Sequence, residues 1–277
     1  MPYANVKGLD LFYHDDDFTN PWEPSQTILI NHYGGGDSSL YNKWVPILAQ
    51  HYRVIRWDRP GHGQSEKPGF GYRLTPESFV GDIVEFMDVL GLEKVHYVGD
   101  KVASAAGIAL AAGHPERVQT LTLAVCFLSG KRVRQGFLDG AENVIAKGSW
   151  IAAYESQSGG KALGDSADPL QDLYYRRVQS GIPAHVQAAA YRCVADPSFD
   201  VEPLLADVQA PTLLLSPDEE TPLVTKAEQD LIAATIPSCE QRVLPGSSMH
   251  FTFTHGEWCA EQVRLFLEER AATSAPA

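Results

Sequence analysis

Lys101, His250 and the carboxylates Asp218 and Glu220 lie beside apolar runs and are residue types able to do chemistry on a carbonyl group. A lysine amine attacks a carbonyl carbon or, while protonated, holds an anion. An imidazole moves protons near neutral pH, and a carboxylate can orient it or act as a base. Lys101 follows Val95-His96-Tyr97-Val98-Gly99-Asp100, which reads as a short strand and tight turn, and precedes the small-residue stretch 105–112, which reads as a helix. His250 lies in Pro245-Gly246-Ser247-Ser248-Met249-His250-Phe251, just past another apolar run. Asp218 and Glu220 sit in Pro217-Asp218-Glu219-Glu220, a segment that reads equally as a solvated acidic loop.

The elements that must carry these residues alternate along the chain. Strands are expected at 27–31, 53–57, 95–98, 120–126, 211–216 and 241–244, and helices at 40–50, 76–90, after Lys101, at 224–234 and at 257–269. Strand and helix in turn predict an α/β fold, a doubly wound and mostly parallel sheet covered on both faces. Residues 6–14, broken by Gly8, read as a small antiparallel hairpin at one edge. Between 129 and 207 the strand rhythm stops, and helical patterns rich in Gly, Ala, Gln and Arg replace it. This block reads as an inserted helical lid on a core made of 1–128 and 208–277. Its aromatics, Phe137, Trp150, Tyr154, Tyr174, Tyr175 and Tyr191, are assigned to packing the lid onto the core. The small residues 272–277 read as a frayed tail.

Four loops strengthen this reading by their order and spacing. His32-Tyr33-Gly34-Gly35-Gly36 follows the first core strand, and Asp58-Arg59-Pro60-Gly61-His62-Gly63-Gln64-Ser65 follows the next. Then come Gly99-Asp100-Lys101-Val102-Ala103 and His114-Pro115-Glu116-Arg117-Val118. Together they resemble the α/β-hydrolase superfamily over nearly the whole chain outside the lid, with G-D-K-V-A standing where the family carries its G-x-S-x-G nucleophile elbow. The resemblance implies the order nucleophile, acid, histidine. It assigns Lys101 to the nucleophile position, Glu220 to the acid with Asp218 as the alternative, and His250 to the histidine. It also implies an oxyanion hole made by the backbone N–H groups of Gly34 and Val102, each donor worth about 3 kcal/mol. His32, Tyr33 and Asp100 complete the expected substrate-binding set. Tyr33 replaces the family's glycine, and either narrows the hole, offers a phenol or fills space. His255 lies too far along to be the histidine and is expected at the surface.

The missing serine changes the expected chemistry. A lysine acylated by an ester becomes an amide that the site has little means of breaking, which disfavours acyl-enzyme turnover through Lys101. Three routes stay open. A desolvated Lys101 can form a Schiff base with a ketone or aldehyde and stabilise a carbanion. His250, oriented by Glu220, can take a proton or activate water while Lys101 as a cation holds the developing anion. Asp100 can attack directly, although its place in the turn aims it away from the pocket. The second route asks least of the residues. The expectation is therefore hydrolysis or lyase-type cleavage of a small, apolar, carbonyl-containing substrate, by an atypical mechanism and without metal or organic cofactor. The alternative is a relative, inactive by descent or by engineering, that only binds a small-molecule ligand.

Composition agrees with a folded domain of this kind. The 277 residues, 44% hydrophobic and 21% charged, are enough for a large core. A net charge of −13 disfavours nucleic acid and anionic membrane as partners, because both need clustered Lys and Arg. No apolar stretch is long enough to span a bilayer, and the N-terminus lacks a basic region followed by an apolar one, so a cytoplasmic location is expected. Cys126, Cys193, Cys239 and Cys259 are scattered without metal-ligand spacing and are expected as free thiols, Cys126 as a buried small hydrophobe.

Overall fold

The computed structural model describes residues 2–153, 163, 168–221 and 223–274. Among them the apolar runs form a sheet of order β1-β2-β4-β3-β5-β6-β7-β8. Its members are β1 Tyr3–Val6, β2 Leu9–Asp16, β3 Thr27–Asn31, β4 Arg53–Trp57, β5 Val95–Asp100, β6 Val118–Ala124, β7 Thr212–Pro217 and β8 Cys239–Leu244. From β4 to β8 every pairing is parallel. The two N-terminal strands are antiparallel and form the expected edge hairpin. Lys7 and Gly8, at φ 49° and 81°, make its two-residue turn, the backbone that suits the twist of a hairpin.

Helices cover both faces, and their residues show why they sit where they do. Between the short α1 Val45–Leu48 and β4 lies only a turn. α2, Pro76–Val89, starts with a reciprocal cap between Thr75 and Ser78 and buries Phe79, Ile83, Phe86 and Met87. α3, Val102–Gly113, is buried almost throughout, and its small residues let it lie close against β5. The closeness is tightest at Gly99, where a Cβ would come within 2.4 Å of Ala103 O. Between β6 and β7 the chain carries α4 Arg134–Lys147, α5 Pro169–Ser180 and α6 Ala184–Val194. α7 Lys226–Thr235, α8 Phe251–Thr254 and α9 Gly256–Ser274 complete the set.

Some boundaries differ from expectation for identifiable reasons. The helix expected at 40–50 is a 3-10 turn, Ser38–Tyr41, and the single turn α1, because Pro46 has no N–H to continue an earlier helix and fits only in the first turn of a new one. β6 ends at Ala124, not at 126, because Val125 turns to φ 53° and leaves the ladder. α9 continues through Ser274 where fraying was expected, and 275–277 lie outside the described residues, as does Tyr154. No helix among the described residues is long and apolar enough to cross a membrane.

Register brings the important loops to one edge. Asn31 pairs with Gly99, Asp100 with Ala124, Ala124 with Leu215, and Pro217 with Leu244. The segments that follow β3, β5, β6, β7 and β8 therefore all leave the sheet on the same side, where open parallel sheets bind ligands.

Candidate active site

The turn after β5 holds Lys101 in a conformation that side-chain-bearing residues rarely adopt, φ 52° and ψ −114°. Its neighbours over-determine that backbone. Lys101 N–H donates to Ala124 O (2.9 Å) and Ser104 N–H donates to Lys101 O (2.9 Å). Ser104 Oγ donates to Gly99 O (2.6 Å), with Ala124 O 2.9 Å away, and accepts Ala124 N–H (3.0 Å). The Lys101 side chain is buried, with Nζ 3.5 Å from Asp100 Oδ1 and 3.8 Å from the centroid of the Tyr33 ring. Burial pushes the amine below the usual lysine range, while Asp100 works in the opposite direction. Asp100 itself is spent behind the lysine: Oδ2 accepts from Tyr41 Oη (3.0 Å) and Thr252 Oγ1 (2.8 Å). It does not line the cavity, which corrects its expected place in the substrate-binding set.

Lys101 opens on a cavity of about 390 Å³ between the sheet edge and the helical insertion. Tyr33, Gly34, Lys101, Val102, Phe127, Met249 and His250 line it from the core, and Phe137, Trp150, Tyr175, Gln179, Gln187, Ala190, Tyr191 and Val194 from the insertion. Gly34 N–H has no acceptor among the described residues, and Val102 is the first residue of α3, where N–H groups have no partner inside the helix. Both backbone donors thus stand in the cavity wall unspent by helix or loop. His250 presents its ring edge-to-face to Tyr175, at 5.2 Å between centroids. Burial, and then the charge of Lys101, hold its pKa well below the ordinary histidine value, so it is neutral at neutral pH.

Several expected members are elsewhere. Glu220 is exposed, and its Oε1 accepts the Lys226 N–H (2.5 Å) at the start of α7. Unpaired N–H groups and a partial positive charge at a helix N-terminus attract a carboxylate in this way. Asp218 is also exposed, with Oδ2 accepting Gly246 N–H (2.9 Å). Among the described residues no carboxylate bonds the His250 ring, so the expected pairing of Glu220, or of Asp218, with His250 is not formed. His32 is fully buried outside the cavity. Its Nε2 accepts Arg59 N–H (3.0 Å), which leaves the hydrogen on Nδ1 to donate to Tyr33 O (2.7 Å). His32 is thus a brace for the loop rather than a substrate ligand. Tyr33 does line the cavity, its ring under Lys101 Nζ and its hydroxyl donating to Tyr175 Oη (2.6 Å). His255 is exposed, as expected.

Sequence reasoning missed the residues that the insertion contributes. Phe137, Trp150, Tyr175 and Tyr191, assigned to packing, line the cavity as well. Gln187, Ala190, Tyr191 and Val194 share one face of α6 at helical spacing, and a glutamine on an otherwise apolar stripe was the available signal. Nothing in the sequence marked Tyr41 and Thr252 as partners of Asp100.

Comparison with known proteins agrees with this architecture. A family model described as the alpha/beta hydrolase fold matches residues 26–256. A putative carbamate hydrolase, RutD, of Caulobacter sp. (strain K31) is 24% identical over 98% of this chain and 100% of its own length. The 3-oxoadipate enol-lactonase 1 of Acinetobacter baylyi is 25% identical over 82% of this chain and 83% of its own. Among solved structures, a hydrolase from Pseudomonas aeruginosa PA01 superposes with a TM-score of 0.83 at 22% identity, covering 96% of this chain and 97% of that one.

Proposed function

The chain belongs to the α/β-hydrolase family, and from that premise we propose that it cleaves a small, largely apolar carbonyl compound by hydrolysis or a lyase-type step, without metal or organic cofactor. His250 moves the proton in this reading and Lys101 acts as a fixed cation. The observation that carries it is the Lys101 amine, buried at the elbow between the Asp100 carboxylate and the Tyr33 ring, in the same cavity as His250. Burial lowers the pKa of the amine, and ion pairing with Asp100 and contact with an aromatic face oppose it by favouring the charged form. The relatives named as a carbamate hydrolase and an enol-lactonase support small carbonyl substrates.

Neutral His250 takes a proton from water or from the substrate as the carbonyl is attacked or a carbanion forms. Negative charge then collects on the carbonyl oxygen, where the N–H groups of Gly34 and Val102 and the Lys101 ammonium stabilise it. The imidazolium returns the proton to the leaving group. The insertion serves as a lid that roofs the cavity and keeps bulk water from these charges.

A binding protein without turnover is the second reading, favoured by one observation: the His250 ring has no carboxylate partner among the described residues. A panel of small lactones, carbamates, aryl esters and β-keto acids separates the two. His250→Ala is expected to slow turnover of whichever panel member is cleaved by about 10²–10⁴-fold while leaving the melting temperature in place. An unchanged rate would remove His250 from the mechanism. Tight binding with no product from any member would favour the binder. Borohydride with a ketone substrate is expected to leave no mass adduct on Lys101, and an adduct would replace the cation with a Schiff base.

A further inference from the structure

The sheet ends at β8, and that edge is open. Thr212 N–H donates to Ser238 O (2.7 Å), so along β8 the main-chain groups of Glu240, Arg242 and Leu244 face β7, and those of Cys239, Gln241 and Val243 face away from it. Among the described residues nothing pairs with these outward groups. None of the six residues of β8 is buried, whereas β7 is buried from Thr212 to Ser216. The strand also lacks the usual devices that protect an edge: it has no proline, no lysine and no bulge, and it stays in register with β7 throughout. Glu240 and Arg242 turn their side chains to the face covered by α9. Arg242 Nη2 lies 2.6 Å from Glu240 Oε1 and 3.0 Å from Glu269 Oε2, and Arg270 Nη2 lies 3.4 Å from Glu240 Oε2. Two acids and two arginines leave this edge neutral in a chain of net charge −13, so a second copy approaching here meets little of the repulsion carried by the chain as a whole.

We propose that β8 pairs with β8 of a second copy of this chain, antiparallel about a two-fold axis at Gln241, so that the two sheets become one. In this register Gln241 exchanges main-chain bonds with Gln241 of the second copy, and Cys239 and Val243 with its Val243 and Cys239, which pairs every outward N–H and carbonyl. Glu240 then stands directly across from Arg242 of the second copy, and Arg242 across from its Glu240. Both are the closer, non-hydrogen-bonded kind of pair, with Cβ atoms about 5 Å apart. The neighbouring registers lose this match: an axis at Glu240 sets glutamate against glutamate, and an axis at Arg242 sets arginine against arginine. Charges of one sign along the edge would repel a second copy in every register. Opposite signs on either side of Gln241 instead select one register and one partner. On the other face Val243, 43% exposed, gains cover from Cys239 of the second copy.

Sedimentation equilibrium of the full chain over a range of concentrations tests this. The chain is expected to sediment at twice its 30.3 kDa mass. Arg242→Glu and Glu240→Arg each set like charges across the axis and should weaken association by about a hundredfold or more. An equimolar mixture of the two variants restores opposite charges across the axis and should recover the heavier species. Val243→Pro changes no charge and removes an N–H that faces away from β7, a place where an edge strand tolerates proline. It should give a monomer whose circular dichroism is that of the parent, and it decides the matter if either charge reversal fails to fold. A parent chain that sediments as a monomer at every concentration overturns the proposal. A dimer that survives Val243→Pro overturns it as well, because the contact then lies on another face. A mixture of the two reversed variants that stays monomeric, with both folded, overturns the pairing of Glu240 with Arg242.

Discussion

The loop that leaves β5 and the loop that leaves β7 emerge from the same edge of the sheet and hold their charged groups by different means. After β5, the groups that hold Lys101 are bonded to buried partners in the core: Asp100 to Tyr41 and Thr252, Ser104 to Gly99 and Ala124, the Lys101 amide to Ala124. After β7, Glu220 and Asp218 lie exposed and accept only backbone N–H groups, of Lys226 at the start of α7 and of Gly246 beyond β8. The contrast teaches where a site of this fold can change. The elbow is a property of the backbone and its packing, so it persists around a lysine. Glu220, by contrast, is held by one bond at a helix N-terminus, and that bond keeps its carboxylate away from His250.

That contrast can be broken most forcefully at Asp100. Asp100→Asn leaves the buried Lys101 amine without its counter-charge and is expected to cost about 3 kcal/mol in urea denaturation, with Asp100→Leu/Lys101→Met recovering most of it. A neutral outcome for the single change would mean that the elbow's ion pair does not hold it. A second measurement sharpens the picture at the other end of the elbow strand. Burial, and secondarily Lys94, press His96 down to about 4, against about 6.5 when unfolded. The folded state therefore resists its protonation: the contribution is complete above pH 6.5, declines as pH falls toward about 4 and is constant below that. Melting followed across this window should show His96→Gln flattening the slope by up to about 1.4 kcal/mol per pH unit. An unaltered slope would assign the acid sensitivity to other buried histidines, such as His62, which burial pushes to about 3. The smallest effect belongs to the acidic loop. Glu220→Ala and Asp218→Ala should each change stability by no more than about 0.5 kcal/mol and turnover by less than about twofold. A tenfold loss of rate from either would return the acid to this loop.

Much of this architecture was legible from periodicity. The core strands were expected from apolar runs and appear within a few residues of their expected ends, and the Gly8 hairpin and the interrupted strand rhythm from 129 onward are both present. The departures have local causes that a pattern does not contain, such as Pro46 inside an apparent helix and the left-handed Val125 at a strand end. At the site, Lys101, His250, Tyr33, Gly34 and Val102 are brought to one cavity as loop order implied. His32, Asp100 and Glu220 are not, because order places a residue at an edge without saying which of several partners its side chain will take. The contribution of α5 and α6 was least legible, since packing and ligand-lining aromatics carry the same signature in sequence.

The bond from Gln179 Nε2 to Gly35 O and the bond from Tyr33 Oη to Tyr175 tie the insertion to the loop that bears Gly34. These bonds join the insertion to the N–H proposed above as the oxyanion donor. On that proposal, a guest too tall for the cavity would draw the Gly34 N–H away from the reacting oxygen as it displaced the insertion. Such a molecule would be admitted and retained yet left unpolarised, so oversized substrates should fail in kcat before they fail in KM.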